Sequence, residues 1–219
     1  MTVNTQPAPQ RPDPRAFGLP VVEQADIPAE LRDLVARVHT LIDVVANTGA
    51  DTDTLAEAAA TIEDVTARLD VARRQIGTMV RRELDDGTAE HGTITNIVAG
   101  DTNPAAPPLF LQPTAEGVRG EVTLGTLYQG PPGLVHGGWI AALLDQAVGT
   151  ASSLATSPGL TAKLEVDYRR PTPLFNPLEI TAEVRRTERR KVFVTGRIRV
   201  NGEITAEANA IMVRVEIPA

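Results

Sequence analysis

The chain has 219 residues, of which 42% are hydrophobic, enough for one sizeable core and a smaller appendage. Its 21 basic and 28 acidic residues give a net charge of -7, and the absence of a dominant basic cluster argues against extended binding to nucleic acid or to an anionic membrane. Because cysteine is absent, a disulfide framework, a thiolate nucleophile and a cysteine-ligated metal are excluded. The three histidines are scattered, so we expect neither a metal site nor another cofactor.

The N-terminal part of the chain is predicted to be a leader followed by helices. Residues 1–25 are rich in Pro, Gln and Asn, which is typical of a flexible leader, and they lack the apolar stretch of a secretory signal, so we expect a cytoplasmic protein. Residues 26–85 carry apolar positions at helical spacing and predict an amphipathic helical hairpin. Thr54 and Glu57 form a candidate capping box for its second helix, whose heptad-like pattern continues to about Leu84.

The C-terminal half is predicted to be a sheet domain. Residues 86–116 are rich in Gly, Thr, Asn and Pro and indicate an extended connector. Residues 117–219 contain a long apolar segment over 137–154, interrupted by enough polar residues to favour a buried helix over a membrane span. Alternating runs predict strands near 117–124, 161–169, 178–188, 191–200 and 203–215. The expected fold class is α+β, an antiparallel sheet packed around one long central helix and preceded by the helical hairpin.

Asp145 is the only formally charged side chain between Glu121 and Lys163, and it lies on the apolar central helix. A charge in such a place must be paired, neutralised or used in chemistry. The pattern alone leaves two interpretations open, a hydrogen-bonded structural aspartate and a catalytic carboxylate.

A histidine and two glycines, His136, Gly137 and Gly138, come directly before the central helix. The glycines allow backbone N–H groups at the helix N-terminus to point at a ligand, as in an oxyanion hole, although they equally permit a tight turn that His136 caps. His136 and Asp145 are nine residues apart, which is about 13 Å along a helix, so they cannot contact one carbonyl within one chain. If both serve one reaction, a second copy must complete the site, which predicts a two-fold homodimer with two shared sites.

The segments "GPPGLVHGGWIAALLDQAVG" and "TAKLEVDYRRPTPL" together resemble hotdog-fold acyl-coenzyme A thioesterases of the phenylacetic-acid-degradation type. The resemblance covers about residues 100–216 and leaves out the helical hairpin. It implies hydrolysis of acyl-CoA to a fatty acid and CoA, without a metal, at sites shared between the subunits of a homodimer. Such dimers often pair again into tetramers.

The same resemblance assigns roles to individual residues. Asp145 corresponds to the catalytic carboxylate, acting as base or nucleophile, and Gly138 to the backbone donor that polarises the thioester carbonyl. His136 corresponds to the histidine that shapes and orients the site, and Thr161 to a threonine that assists the acid from the partner side. Because a thioester has a good leaving group, a positioned carboxylate and N–H donors are sufficient in kind.

Further residues are candidates for substrate contact. Gly137 is expected to lie beside the substrate, next to the backbone donor Gly138. Arg169, Arg170 and Lys191 are candidates for the CoA phosphates, although arginines on a strand face are ordinarily solvated. Trp139 replaces the small residue usual after the two glycines, and we expect it to pack in the core rather than to narrow an acyl tunnel or fill a subunit interface.

Two other functions stay open, and a further interpretation treats the helical hairpin as an oligomerisation device only. One is a non-catalytic acyl-CoA-binding or regulatory hotdog protein that uses the hairpin as an interaction module. The other is a dehydratase of the same fold that uses His136 and Asp145, but the spacing and the Thr161 segment match the hydrolase pattern better. No nucleophile-elbow, phosphate-loop or dinucleotide-binding motif is present to suggest a different enzyme class.

Overall fold

The computed structural model describes residues 13–84, 87–156 and 158–214. The helices in chain order are α1 (Ala29–Asn47), α2 (Thr52–Leu69) and α3 (Gly137–Ala155). The strands are β1 (Val21–Glu23), β2 (Met79–Glu83), β3 (Ala89–Thr93), β4 (Gln112–Pro113), β5 (Gly117–Thr123), β6 (Gly159–Tyr168), β7 (Pro177–Glu188), β8 (Lys191–Val200) and β9 (Glu203–Arg214). Short 3-10 helices cover Pro14–Phe17, Gln24–Asp26 and Thr126–Tyr128.

A six-stranded sheet encloses the central helix. Its strand order is β4-β5-β7-β8-β9-β6, every neighbouring pair is antiparallel, and α3 packs against β5 to β9. Leu143, Leu144, Ala147 and Val148 of α3 are fully buried in the core between helix and sheet. The expected α+β fold, a hotdog fold with preceding helices, is therefore confirmed.

Two details show why these residues form this sheet. Asn201 and Gly202 both have positive φ, 51° and 82°, which is the conformation of the two-residue turn that the Asn-Gly sequence favours. Gly196 of β8 lies against α3, and a Cβ there would come within 3.0 Å of Val148. The sequence therefore supplies glycine at a point where the sheet passes close to the helix.

The sheet face that points away from α3 is covered by cross-strand ion pairs. Arg197 on β8 bonds to Glu207 at 2.7 Å and to Glu183 at 3.1 Å, joining three adjacent strands. Arg119 on β5 bonds to Glu179 on the adjacent strand β7 at 2.6 Å. These paired charges suit a surface in contact with water.

Helix α1 docks on the sheet domain, whereas α2 is exposed along its whole length. His39 lies 2.9 Å from the carbonyl of Pro104, and Asp43 accepts a hydrogen bond of 2.6 Å from the hydroxyl of Thr126. None of the helices in the described ranges combines the length and the apolar character needed to cross a membrane.

The segment before the sheet domain differs in detail from its prediction. The described part of the expected leader contains β1, which pairs with β2 in parallel, and β2 pairs with β3. Helix α2 ends at Leu69 rather than near residue 84, with Asp70 as its C-cap. Turns and irregular backbone over 70–78, including Gly77 with φ of 86°, then lead into β2. The N-cap of α2 is Asp51, whose carboxylate accepts from the N–H of Thr54, and not the expected pair of Thr54 and Glu57.

Candidate functional site

Asp145 is held by a hydroxyl group from the edge of the sheet. Thr161 on β6 donates a hydrogen bond of 2.8 Å to Oδ1 of Asp145 on α3. Asp145 is partly exposed, unlike its buried neighbours Leu143 and Leu144 on the helix. The carboxylate is therefore oriented by one donor and open on another side. The resemblance assigned Thr161 to the partner side, but here the threonine and the aspartate belong to the same chain.

An irregularity in β6 aims Thr161 at the helix. Thr161 pairs with Met212 and Lys163 pairs with Ile211, so Ala162 is an extra residue in the ladder. Residues opposite each other share a face of the sheet, and Met212 is buried against the core. The bulge thus places Thr161 on the inner face, as bulges next to functional sites commonly do.

His136 caps the central helix. Its Nδ1 accepts a hydrogen bond of 2.9 Å from the backbone N–H of Gly138, while its carbonyl accepts from Trp139 and Ile140. The capping role that the sequence left open for His136 is therefore present. Since the N–H of Gly138 already has this partner, it is not directed at a substrate in this conformation.

Gly137 occupies the first position of α3, and its N–H has no hydrogen-bond acceptor among the described residues. Its carbonyl accepts a hydrogen bond of 3.0 Å from the hydroxyl of Tyr168, at the far end of β6. An N–H at a helix N-terminus is a preorganised donor for a developing negative charge. Gly137 is thus the donor that this turn leaves available.

Aromatic side chains pack beside the first turn of α3. Trp139 meets Tyr128 edge to face, with ring centroids 4.8 Å apart, and His39 of α1 stacks on Tyr128 with ring centroids 6.2 Å apart. Trp139 packs against the core cluster, as expected from the sequence. Burial raises the pKa of the Tyr128 phenol, and its hydroxyl has no hydrogen-bond partner in the part of the chain described.

The three cationic candidates do not meet within one chain. The backbone N–H groups of Arg169 and Arg170 bond to Thr205 of β9, whereas Lys191 is opposite Val213 of the same strand. Thr205 and Val213 are eight residues apart along β9, which is about 27 Å of extended strand. The two arginines and Lys191 therefore lie far apart in one chain. The side chains of Arg169 and Arg170 also form ion pairs, at 3.3 Å with Asp167 and at 3.5 Å with Glu203, respectively.

The structure therefore separates the predicted site residues into two groups at opposite ends of β6. One group is the helix start, with His136 and Gly137 beside Tyr168. The other is Asp145 with Thr161, nearest to Lys191. Tyr168 was not predicted from the sequence to belong to the site. Leu164 and Val166 face the core from the same strand, and the period of two that they set also includes Tyr168.

The chain resembles known proteins over this region. The thioesterase superfamily model matches residues 132–207, which include both groups of site residues. Acyl-coenzyme A thioesterase THEM4 from Xenopus laevis is 36% identical over 93 residues, which are 42% of this chain and 42% of that protein. THEM4 from Mus musculus is 34% identical over 94 residues, 42% of this chain and 40% of that protein. The chain thus spans about two fifths of the length of these curated relatives.

A solved structure extends the likeness over most of the chain. The crystal structure of a thioesterase superfamily protein is 32% identical, with a TM-score of 0.73, and the match covers 86% of this chain and 92% of that one. Such coverage reaches beyond the sheet domain into the N-terminal half. The chain belongs to the thioesterase superfamily.

Proposed function

We propose that this chain hydrolyses the thioester of an acyl-CoA, releasing a carboxylic acid and CoA, at sites shared between two subunits. The proposal depends on the environment of Asp145 on the apolar helix. Its carboxylate accepts a hydrogen bond of 2.8 Å from Thr161, and the residue is still partly exposed. A carboxylate positioned in this way can act on a reacting group. The similarity to proteins named acyl-coenzyme A thioesterase supports this substrate class.

The position of β6 supports a shared site. Among the strands of the described residues, β6 is the last in the six-stranded order, so one of its edges is available for pairing with another strand. If two β6 strands pair antiparallel about their midpoints, the Tyr168 end of one meets the Thr161 end of the other. The N–H of Gly137 from one chain then lies near Asp145 of the other chain, whereas within a single chain the two residues are about 12 Å apart along α3.

The proposed chemistry uses Asp145 in one of two ways. As a general base, the carboxylate takes a proton from water, the water oxygen attacks the carbonyl carbon, and the C–S bond breaks to release the CoA thiol. As a nucleophile, the carboxylate forms an anhydride with loss of the thiol, and water then hydrolyses the anhydride. In both routes negative charge develops on the carbonyl oxygen, where the Gly137 N–H stabilises it.

The same pairing brings the cationic candidates together. Lys191 lies toward the Thr161 end of the sheet, and Arg169 and Arg170 follow Tyr168 at the other end. In an antiparallel β6 pair, Lys191 from one chain and the two arginines from the other flank the same site. We infer that these three side chains bind the CoA phosphates at the entrance to the site. Of the three, Lys191 has no ion pair among the described residues.

A thiol-release assay over short, medium, long and aromatic acyl-CoAs tests the proposal. Asp145→Asn keeps the size of the side chain and an acceptor for Thr161, so the fold should be retained while turnover falls by at least about a hundredfold. Asp33→Asn, on the exposed face of α1, is the matched control and should leave turnover unchanged.

Either of two outcomes would contradict hydrolysis at this site. Full activity of Asp145→Asn would remove the carboxylate from the mechanism. Saturable acyl-CoA binding by the wild-type chain without release of thiol would instead support the non-catalytic binding function.

A further inference from the structure

The first turn of α3 is tied to β6 by a tyrosine. The hydroxyl of Tyr168 donates a hydrogen bond of 3.0 Å to the carbonyl oxygen of Gly137. The ring lies against the same glycine, because a Cβ added to Gly137 would be 3.5 Å from Cε1 and from the hydroxyl oxygen of Tyr168. The turn that carries the proposed N–H donor is therefore in contact with a second element of the fold.

The carbonyl group that Tyr168 binds belongs to the peptide unit between Gly137 and Gly138. The N–H of this unit donates to Nδ1 of His136 at 2.9 Å. Because a peptide unit is planar, a bond at its oxygen and a bond at its nitrogen together fix the rotation of the whole plane. Tyr168 and His136 thus hold one peptide unit at its two ends.

The turn needs this restraint because two glycines follow each other. Glycine has access to more backbone conformations than any other residue, and the first N–H groups of a helix lack partners within the helix. The preceding peptide unit is fixed through the carbonyl of His136, which accepts from the N–H groups of Trp139 at 2.9 Å and Ile140 at 3.2 Å. The two units meet at Cα of Gly137, so fixing both of them fixes the backbone dihedrals of the donor residue.

We propose that Tyr168 is a positioning residue, which holds Gly137 so that its N–H points at the carbonyl oxygen of the thioester. This role rests on the proposed function, in which a preorganised donor stabilises the developing charge. The bond lies at the surface, since Tyr168 is 55% exposed. A neutral hydrogen bond that water can replace adds little to the stability of the fold. Its loss should therefore change the orientation of the donor and leave folding intact.

The chain has two tyrosines, which allows a matched comparison. Tyr168→Phe removes the hydroxyl that holds Gly137 and keeps the ring. Tyr128→Phe is the control, because the ring of Tyr128 packs on Trp139 of the same turn, while its hydroxyl has no hydrogen-bond partner among the described residues. Thiol release gives kcat and KM for each variant, and hydrogen exchange followed by NMR gives the protection of the Gly138 amide.

Tyr168→Phe should lower kcat about tenfold and leave KM unchanged, because it removes one hydrogen bond that orients the donor in the transition state. Exchange at the Gly138 amide should become about threefold faster or more, since the peptide unit is then held at one end only. Tyr128→Phe should leave kcat, KM and this exchange rate close to those of the wild type.

Each result decides the proposal. A lower kcat with faster exchange in Tyr168→Phe alone supports it. Unchanged exchange at Gly138 would show that the hydroxyl does not hold the turn, and unchanged kcat despite faster exchange would make the bond purely structural, so either result overturns the proposal. An equal fall of kcat in both variants would attribute the effect to packing of the turn and would also contradict it.

The comparison also separates this role from the proposed function. If hydrolysis itself is wrong, the wild-type chain releases no thiol, and the role of Tyr168 in catalysis is overturned with it. If only the role of Tyr168 is wrong, the wild type is active and Tyr168→Phe matches it in kcat.

Discussion

Thr161 makes the contact that separates an oriented carboxylate from an ordinary exposed aspartate. Its hydroxyl donates to Asp145 at 2.8 Å, while the hydroxyl oxygen also lies 3.5 Å from the sulfur of Met212, so the side chain has neighbours on α3 and on β9. In the proposed mechanism, this hydroxyl holds the carboxylate in the orientation in which it reacts.

Removing this hydroxyl should therefore reduce turnover more than substrate binding. Thr161→Val keeps the shape of the side chain, and we expect kcat to fall about tenfold to a hundredfold, the range for losing one hydrogen bond to a charged group. Thr161→Ser keeps the hydroxyl and serves as the control, with kcat near that of the wild type. A value of kcat unchanged in Thr161→Val, measured by thiol release, would show that the contact is structural only.

Tyr128 presents the opposite case, a buried polar group whose hydroxyl lacks a partner among the described residues. An unsatisfied buried hydroxyl destabilises the folded state, so Tyr128→Phe should stabilise the protein by about 1 kcal/mol and raise Tm by about 2 to 4 °C. The ring contacts with Trp139 and His39 are retained in this variant. A lower Tm in a thermal melt would mean that the hydroxyl has a bound partner.

At the level of single elements, α2 depends on its cap because it is exposed throughout. The backbone N–H of Thr54 lowers the pKa of Asp51, so the ionised form is favoured when the helix is formed. A lowered pKa adds stability that is present above the pKa of the unfolded chain and is lost as the pH falls through the folded value.

Asp51→Ala should reduce the helical content of α2 at pH 7, and the difference from the wild type should shrink below about pH 4. Hydrogen exchange of the α2 amides at several pH values measures this effect. Asp53→Ala lies in the same turn without a capping bond and should have the smaller effect. Equal effects of the two variants would attribute the stabilisation to the helix dipole rather than to the cap.

The same elements show how far sequence patterns reach. The five predicted strands, β5 to β9, the central helix and the Asn-Gly turn follow from local periodicity and backbone preference, and they lie within a few residues of their predicted bounds. The short strands β1 to β4 were not predicted. The predicted end of α2 was wrong because Ile76 and Val80 continue the heptad spacing although the helix itself ends at Leu69. The contact of Thr161 with Asp145 depends on a bulge at Ala162, which tertiary packing selects and alternation alone cannot indicate.

At the level of the whole molecule, the proposed site can be tested by dividing it between two chains. Gly137→Pro removes the N–H donor, and proline is tolerated at the first helical position. His136, with φ of -62° and ψ of 134°, already has the extended conformation that precedes proline. We expect this variant to fold and to be nearly inactive, as Asp145→Asn is.

Mixing the two inactive variants should then restore activity. In a shared site, half of the reassociated dimers are mixed, and each mixed dimer holds one intact site, so the mixture should recover about a quarter of wild-type turnover. The mixture is assayed by thiol release after joint unfolding and refolding. No recovery, although mixed dimers are detected, would place both groups in a site within one chain.

The stacking of His39 on Tyr128, and of Tyr128 against Trp139, has a consequence for regulation. It joins α1, which leads directly into α2, to the first turn of α3. If α1 shifts, these ring contacts carry the shift to the turn that contains Gly137. Thermodynamic reciprocity then requires that, if the shift of α1 changes the affinity of this turn for a ligand, the ligand changes the equilibrium between the two positions of α1 by the same factor.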